Sequence, residues 1–260
     1  MAGSFYPRDP RQLAREVAAL LGAPAAPPTA TALGVLAPHA GYVYSGAVAG
    51  ATYARVAVPR RVLVLCPNHT GLGARVALWP DGAWETPLGR VPVDPDLTEA
   101  LRACPLVEAD RAAHIQEHAL EVQLPFLQVL RPDLTVAALC IGAIPVDDAV
   151  ALGHAVAVAT SVHPALVVAS SDMSHFIPAD EARRLDFLAL ERLLALDARG
   201  LYQVVHRQRI SMCGVVPATV MLAAARQAGA REAELVRYAS SGDVTGDRRS
   251  VVAYAGALVR

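Results

Sequence analysis

Short, uninterrupted apolar runs dominate this chain and restrict its fold more than any other feature. They lie at residues 32–37, 61–66, 134–141 and 165–170, each bounded by turn-forming residues. Runs of this length with no polar alternation fit strands covered on both faces, as in parallel sheets. Helical patterns separate them. Asp9-Pro10 opens a helix over 11–21, Ser45 one over 46–55, and Asp94-Pro95 one over 96–103. A polar cap precedes each helix, and in two of them proline takes the first position. Further helices read at 118–130 (kinked by Pro125), 147–160, 178–196, 200–208 and 214–228, with closing strands at 233–240 and 250–259. This alternation predicts an α/β fold, a mostly parallel central sheet with helices on both faces. The 22 residues before the flexible connection 23–31 (APAAPPTAT) are too few for a separate unit. Residues 1–260 are therefore read as a single domain.

Composition removes several function classes. Acidic and basic residues nearly balance, 24 against 23, so no global field draws in nucleic acid or an anionic membrane. All the bases are arginine, which excludes a Schiff-base lysine and a P-loop lysine. Cys66, Cys104, Cys140 and Cys213 contain no C-x-x-C pair, so neither a zinc ribbon nor a thioredoxin-type site is expected. The opening MAGSFYPRDPRQLAREV carries charges where a signal peptide needs an apolar run, and stretches such as 215–225 are too short to span a bilayer. A cytoplasmic protein with no membrane association is the expectation. G-x-S-x-G, G-x-G-x-x-G and G-x-x-x-x-G-K-[ST] are all absent.

The residues just beyond three of the strand runs point to a site. Pro38-His39-Ala40-Gly41-Tyr42 comes after the first, Pro67-Asn68-His69-Thr70-Gly71 after the second, and Ser170-Ser171-Asp172-Met173-Ser174-His175 closes and extends the 165–170 run. Three strands thus deliver a histidine just beyond their carboxyl ends, the edge where open parallel sheets bind ligands. Convergent imidazoles suit iron, zinc or copper. Cys213 stands before a helix in Ser211-Met212-Cys213-Gly214, where the helix dipole would favour a thiolate, as ligand or nucleophile. The other three cysteines read as buried apolar residues. Tyr42 and Tyr44 either donate hydrogen bonds into the site or pack. The connection 240–247 reads as a solvated turn.

A second constellation is His114-Ile115-Gln116-Glu117-His118, an H-x-x-E-H pattern. On a helix it would set His114 and His118 on one face with Glu117 as general base, a zinc hydrolase completed by Glu181 or Glu191. Otherwise it is an acid–histidine cap on the next helix.

Taken as a series, Ala2-Gly3-Ser4-Phe5-Tyr6-Pro7, Ala37-Pro38-His39-Ala40-Gly41-Tyr42, Pro67-Asn68-His69, Glu117-His118, Ser170-Ser171-Asp172-Met173-Ser174-His175 and Cys213-Gly214 resemble the motifs of the Memo family, collinear along essentially the whole chain. The form is similar to the bacterial and archaeal branch labelled AmmeMemoRadiSam system protein B. The resemblance implies a fold similar to class III extradiol dioxygenases and a metal on His39, His69 and Cys213. Iron or copper is the expected metal, with zinc the alternative. It also implies that His175, His118, Asp172 and Glu117 line the pocket, His175 or His118 as the acid–base group. Cys213 stands where non-haem oxygenases carry a carboxylate, which softens the site and makes it oxidisable. Three functions stand as alternatives. The first is oxygen-dependent redox chemistry on a small aromatic or heterocyclic substrate; the second is a non-enzymatic scaffold receiving a peptide or protein; the third is the zinc hydrolase. The branch label also suggests a functional link to a radical-SAM enzyme and an AMMECR-type protein, and leaves a homo-oligomer open.

Overall fold

The computed structural model describes residues 1–22 and 31–260; most of the expected 23–31 connection lies outside the described residues. Helix α1 (Pro10–Leu21) starts where Asp9 accepts the Gln12 N–H and Pro10 fills the first turn. Strand β1 (Gly34–Ala37) leads into α2 (Tyr42–Tyr53), then β2 (Arg61–Pro67), the short β3 (Val76–Leu78) and a hairpin of β4 (Ala83–Thr86) and β5 (Gly89–Pro92). Helix α3 (Pro95–Arg102), capped by Asp94 on Leu97 N–H, precedes β6 (Glu108–Ala109), the single turn α4 (Ala112–Ile115), a 3-10 turn (Glu121–Gln123) and α5 (Leu124–Leu130). Next come β7 (Thr135–Ile141), α6 (Val146–Val162), β8 (Leu166–Ser170) and β9 (His175–Ile177). The chain closes with α7 (Ala179–Leu194), α8 (Ala198–Gln208), α9 (Val215–Gln227), β10 (Ala233–Ser240), the short α10 (Gly242–Thr245) and β11 (Val251–Val259).

The main sheet runs β10-β11-β1-β8-β2-β7-β3-β6, with β9 added on β11. Its centre, β1-β8-β2-β7, is parallel; β3 joins β7 and β11 joins β1 antiparallel. Val62 and Val64 pack with α1, α2 and α5, while Leu63 and Leu65 pack with α3, α6 and α9 on the other face. Two apolar layers explain the unbroken apolar strands. On the second face α6 and α9 meet closely: a Cβ on Gly153 would lie 2.8 Å from the Val220 carbonyl oxygen. The expected α/β architecture is observed.

Several local expectations need correction. Helix α2 begins at Tyr42, and Ser45 lies inside it with its hydroxyl donating to Ala40 O. The 118–130 helix is divided, and Pro125 sits in the first turn of α5, where its missing N–H costs nothing. The expected turn at 240–247 contains α10. No helix among the described residues is long and apolar enough to cross a membrane.

Candidate metal centre

The parallel centre of the sheet ends on one edge in three loops, and these carry the site. His39 follows β1, His69 follows β2, and Ser171 to Ser174 follow β8. Cys213 enters ahead of α9, brought in by a tight crossing. Gly214 lies so close to Ser170 O and the Ser171 side chain that any Cβ would collide with both, while its N–H donates to Ser171 Oγ at 2.9 Å. The His39, His69 and Cys213 donor atoms lie within 4.8 Å of one another. His39 Nε2 is 3.3 Å from Cys213 Sγ, and the His39 and His69 rings meet edge-on with centroids 5.2 Å apart.

Hydrogen bonds determine which imidazole nitrogens are free. Ser170 Oγ has one proton, which it donates to Ala119 O at 2.7 Å. It accepts from Gln123 Nε2 at 2.9 Å, so its 2.8 Å contact with His39 Nδ1 is a bond donated by the imidazole. His39 therefore presents a bare Nε2 toward Cys213. Gln123 is itself fixed, its Nε2 donating to Pro38 O and its Oε1 accepting from Tyr53 OH at 2.8 Å. His69 is set by the same logic: Nδ1–H donates to Glu117 Oε1 at 2.9 Å, which frees Nε2. Burial, and then the neighbouring imidazoles of His118 and His69, hold His39 well below the usual histidine range. His39 is thus neutral, the form that ligates metals.

Glu117 is the organiser of this corner. Oε2 accepts from His69 N–H at 2.7 Å; Oε1 accepts from His69 Nδ1 and Ala119 N–H and lies 3.3 Å from His118 Nδ1. Burial alone would raise its pKa, but the bonds from His69 and Ala119 outweigh that and hold it at about 2. His69, Glu117 and His118 also form a close cluster of candidate donors. With its oxygens engaged by these donors, Glu117 fixes the His69 ring, the arrangement by which an outer carboxylate orients a histidine able to hold a metal. His118 stacks between Phe5 (4.5 Å) and His69 (4.9 Å), beside the donor set.

The 171–175 loop is tied to the cysteine loop. Asp172 N–H donates to Cys213 Sγ at 3.2 Å, and Asp172 Oδ1 accepts from His39 N–H at 2.8 Å. His175 N–H donates to Ser211 Oγ and His175 Nδ1 lies 2.9 Å from Ser211 O, a contact only an Nδ1–H can make favourable; Nε2 is left bare. The Cys213 expectation needs revision. Burial and then Asp172 push its thiol well up, outweighing the bonds from Asp172 N–H, Ser171 and Gly214. A helix start alone does not make it a thiolate. Metal coordination would deprotonate it outright.

The hydrolase constellation does not assemble. Helix α4 stops at Ile115, so His114 and His118 share no helical face. His114 Nε2 is spent on Ala77 O at 2.9 Å, and its ring packs edge-on against Trp79 and Trp84. Glu181 and Glu191 are exposed on α7. Of the tyrosines weighed, Tyr42 packs against Phe126 and donates to Val122 O, while Tyr44 is part-exposed beside the site loops. Cys66 and Cys140 are fully buried, as expected of apolar cysteines, whereas Cys104, expected to be buried with them, is only partly buried against the core. Gln123 and Tyr53 escaped sequence reading, and Ser170 was read only as a member of the 170–175 motif with no role of its own; Gln123 shares the segment Leu120 to Leu127 with Glu121, so nothing set it apart.

Fold and site together define an α/β protein with a His–His–Cys candidate metal centre at the carboxyl edge of its sheet. The Memo-like protein family model matches residues 1–258, and the chain belongs to that family. A MEMO1 family protein of Methanothermobacter thermautotrophicus is 41% identical over 98% of this chain and 97% of its own length. One from Methanopyrus kandleri is 42% identical over 100% and 97%, and one from Aquifex aeolicus 40% over 99% and 97%. Among solved structures, an uncharacterized Escherichia coli K12 protein shares the fold at TM-score 0.50 and 17% identity, covering 76% of this chain and 86% of its own.

Proposed function

We propose that this protein binds iron or copper through His39, His69 and Cys213 and performs oxygen-dependent chemistry on a small aromatic or heterocyclic substrate. The supporting observation is the fixed tautomer pair: Ser170 and Glu117 each hold an Nδ1–H, which leaves His39 Nε2 3.3 Å from the Cys213 thiol, and donor atoms of His39, His69 and Cys213 gather within 4.8 Å of one another. Three protein donors leave coordination positions free for a ligand. The thiolate favours a softer or redox-active metal over magnesium or calcium. When bound, such a metal supplies Lewis acidity and redox capacity.

The chain's own groups supply the rest. His175, anchored to Ser211 through Nδ1–H, has a bare Nε2 with which to take a proton from a substrate hydroxyl. Asp172, buried between His39 and Cys213, faces the charges of His175 and His118. It holds whichever imidazole has gained the proton. Phe5 covers His118 and limits water at that side. All four cysteines are free, which fits the reducing cytoplasm.

The test is oxygen uptake by iron- or copper-loaded protein given catechols and their nitrogen heterocycle analogues. Uptake in wild type, lost in His175→Ala with metal retained, supports the proposal. No uptake across the panel would instead favour the scaffold reading, for which exposed Val43 and Tyr44 offer an apolar contact beside the site.

A further inference from the structure

Helix α7 buries one stripe, Ala182, Ala189, Leu190 and Leu193, and in the middle of it stands a carboxyl, Asp186, with no exposed surface. An acidic residue on a buried helical face calls for a cause. Three donors converge on it. Oδ1 accepts from Ser174 N–H at 3.0 Å and from the Ser174 hydroxyl at 2.6 Å, and Oδ2 accepts from Tyr238 OH at 2.8 Å. Burial still wins over these bonds and pushes the carboxyl up.

What Asp186 holds is the loop that carries Asp172 and His175. Five successive amides of that loop go to five different places. Ser171 N–H donates to Ala37 O on β1, Asp172 N–H to Cys213 Sγ, Met173 N–H to Ala253 O on β11, Ser174 N–H to Asp186, and His175 N–H to Ser211 Oγ. Ser174 O accepts from Ala253 N–H at 2.9 Å. Asp186 thus takes the two Ser174 donors, N–H and hydroxyl, one residue before His175. The 2.9 Å bond from His175 Nδ1–H to Ser211 O depends on where that backbone enters.

We propose that Asp186 is a positioning residue: through Ser174 it holds the His175 imidazole in the Nδ1–H form anchored on Ser211, with Nε2 free to take a proton. The proposal rests on the reading of His175 as the acid–base group. It gives a task to a buried carboxyl that no motif of the sequence marked. Outer groups of this kind fix the tautomer and direction of a working histidine.

The bond from Tyr238 separates this role from a purely structural one. Asp186→Ala orphans both donors of Ser174, whereas Tyr238→Phe removes the third donor and leaves Ser174 held. The test is the 1H–15N spectrum of the His175 ring in zinc-loaded protein, its signals identified by their loss in His175→Ala. Wild type is expected to show one fixed tautomer, Nδ1–H with bare Nε2. Asp186→Ala and Tyr238→Phe should both lower Tm, since each leaves a buried polar group unpaired. Only Asp186→Ala should replace the fixed pattern by the averaged one of a ring exchanging between tautomers. Asp186→Asn, which keeps an oxygen for Ser174, should restore it. Ser174→Ala, which removes the 2.6 Å bond and leaves α7 whole, carries the same readout if Asp186→Ala does not fold. A fixed His175 pattern that survives these losses would overturn the assignment, as would a wild type without one. The same averaging in Tyr238→Phe would overturn it too, because lost stability would then be the whole cause. Oxygen uptake is followed in parallel: its absence from wild type would contradict the oxygenase reading, while the positioning of His175 is decided by the ring signals alone.

Discussion

Asp94 and Asp172 are equally buried, both 4% exposed, at opposite edges of one sheet, and their carboxyls shift in opposite directions. For Asp94 burial acts upward, but Leu97 N–H, the Thr135 hydroxyl and the Arg61 guanidinium outweigh it and lower its pKa. These contacts are short, 2.9, 2.7 and 2.8 Å. For Asp172 burial wins over the N–H groups of His39 and Ala40, and the carboxyl is raised. The amino edge of the sheet therefore spends its buried charge on tying α3 to β2 and β7. The carboxyl edge keeps a carboxyl whose charge is poorly compensated beside three histidines and a thiol. Uncompensated burial is costly to stability, and such groups concentrate where chemistry is done.

The largest effect that would sharpen this contrast is on turnover. Asp172→Asn keeps an oxygen for His39 N–H but cannot hold a proton-bearing imidazole. Oxygen uptake should fall about 100-fold or more with metal retained. Stability should hold or rise, since a strained buried carboxyl is gone. A large loss of Tm would make Asp172 a structural tie like Asp94.

Next in size is Glu117→Gln, which weakens the hold on His69 Nδ1–H. Competition with a chelator should show metal affinity reduced about 10- to 100-fold. Unchanged affinity would remove Glu117 from the centre.

Smallest is Asp94→Ala, expected to cost about 2 kcal/mol in denaturant unfolding and to leave metal and turnover untouched. The lowered pKa sets the sign of the pH dependence. The Asp94 contribution is complete above the ordinary aspartate pKa of about 3.9 and is lost as pH falls through the lower folded value. The difference between wild type and Asp94→Ala should therefore close only in acid, below about pH 4. A gap that persists there would assign the cost to packing.

The parallel centre of the fold was legible because β2, β7 and β8 are buried on both faces and show it as unbroken apolar runs. Strands β4 and β5 were not, since they form a half-exposed hairpin of mixed polarity. Strand β9 is three residues long, too short for any period. In the site, His39, His69 and His175 were readable from their places after or near strand ends. His114 misled because a five-residue pattern was read on a helix that stops after one turn.

The most direct test of the central claim is elemental analysis of anaerobically purified protein, wild type beside His39→Ala, Cys213→Ala and His114→Ala. The account predicts near-stoichiometric iron or copper in wild type and His114→Ala, and its loss from the other two. Metal that survives Cys213→Ala, or that leaves with His114, would contradict it.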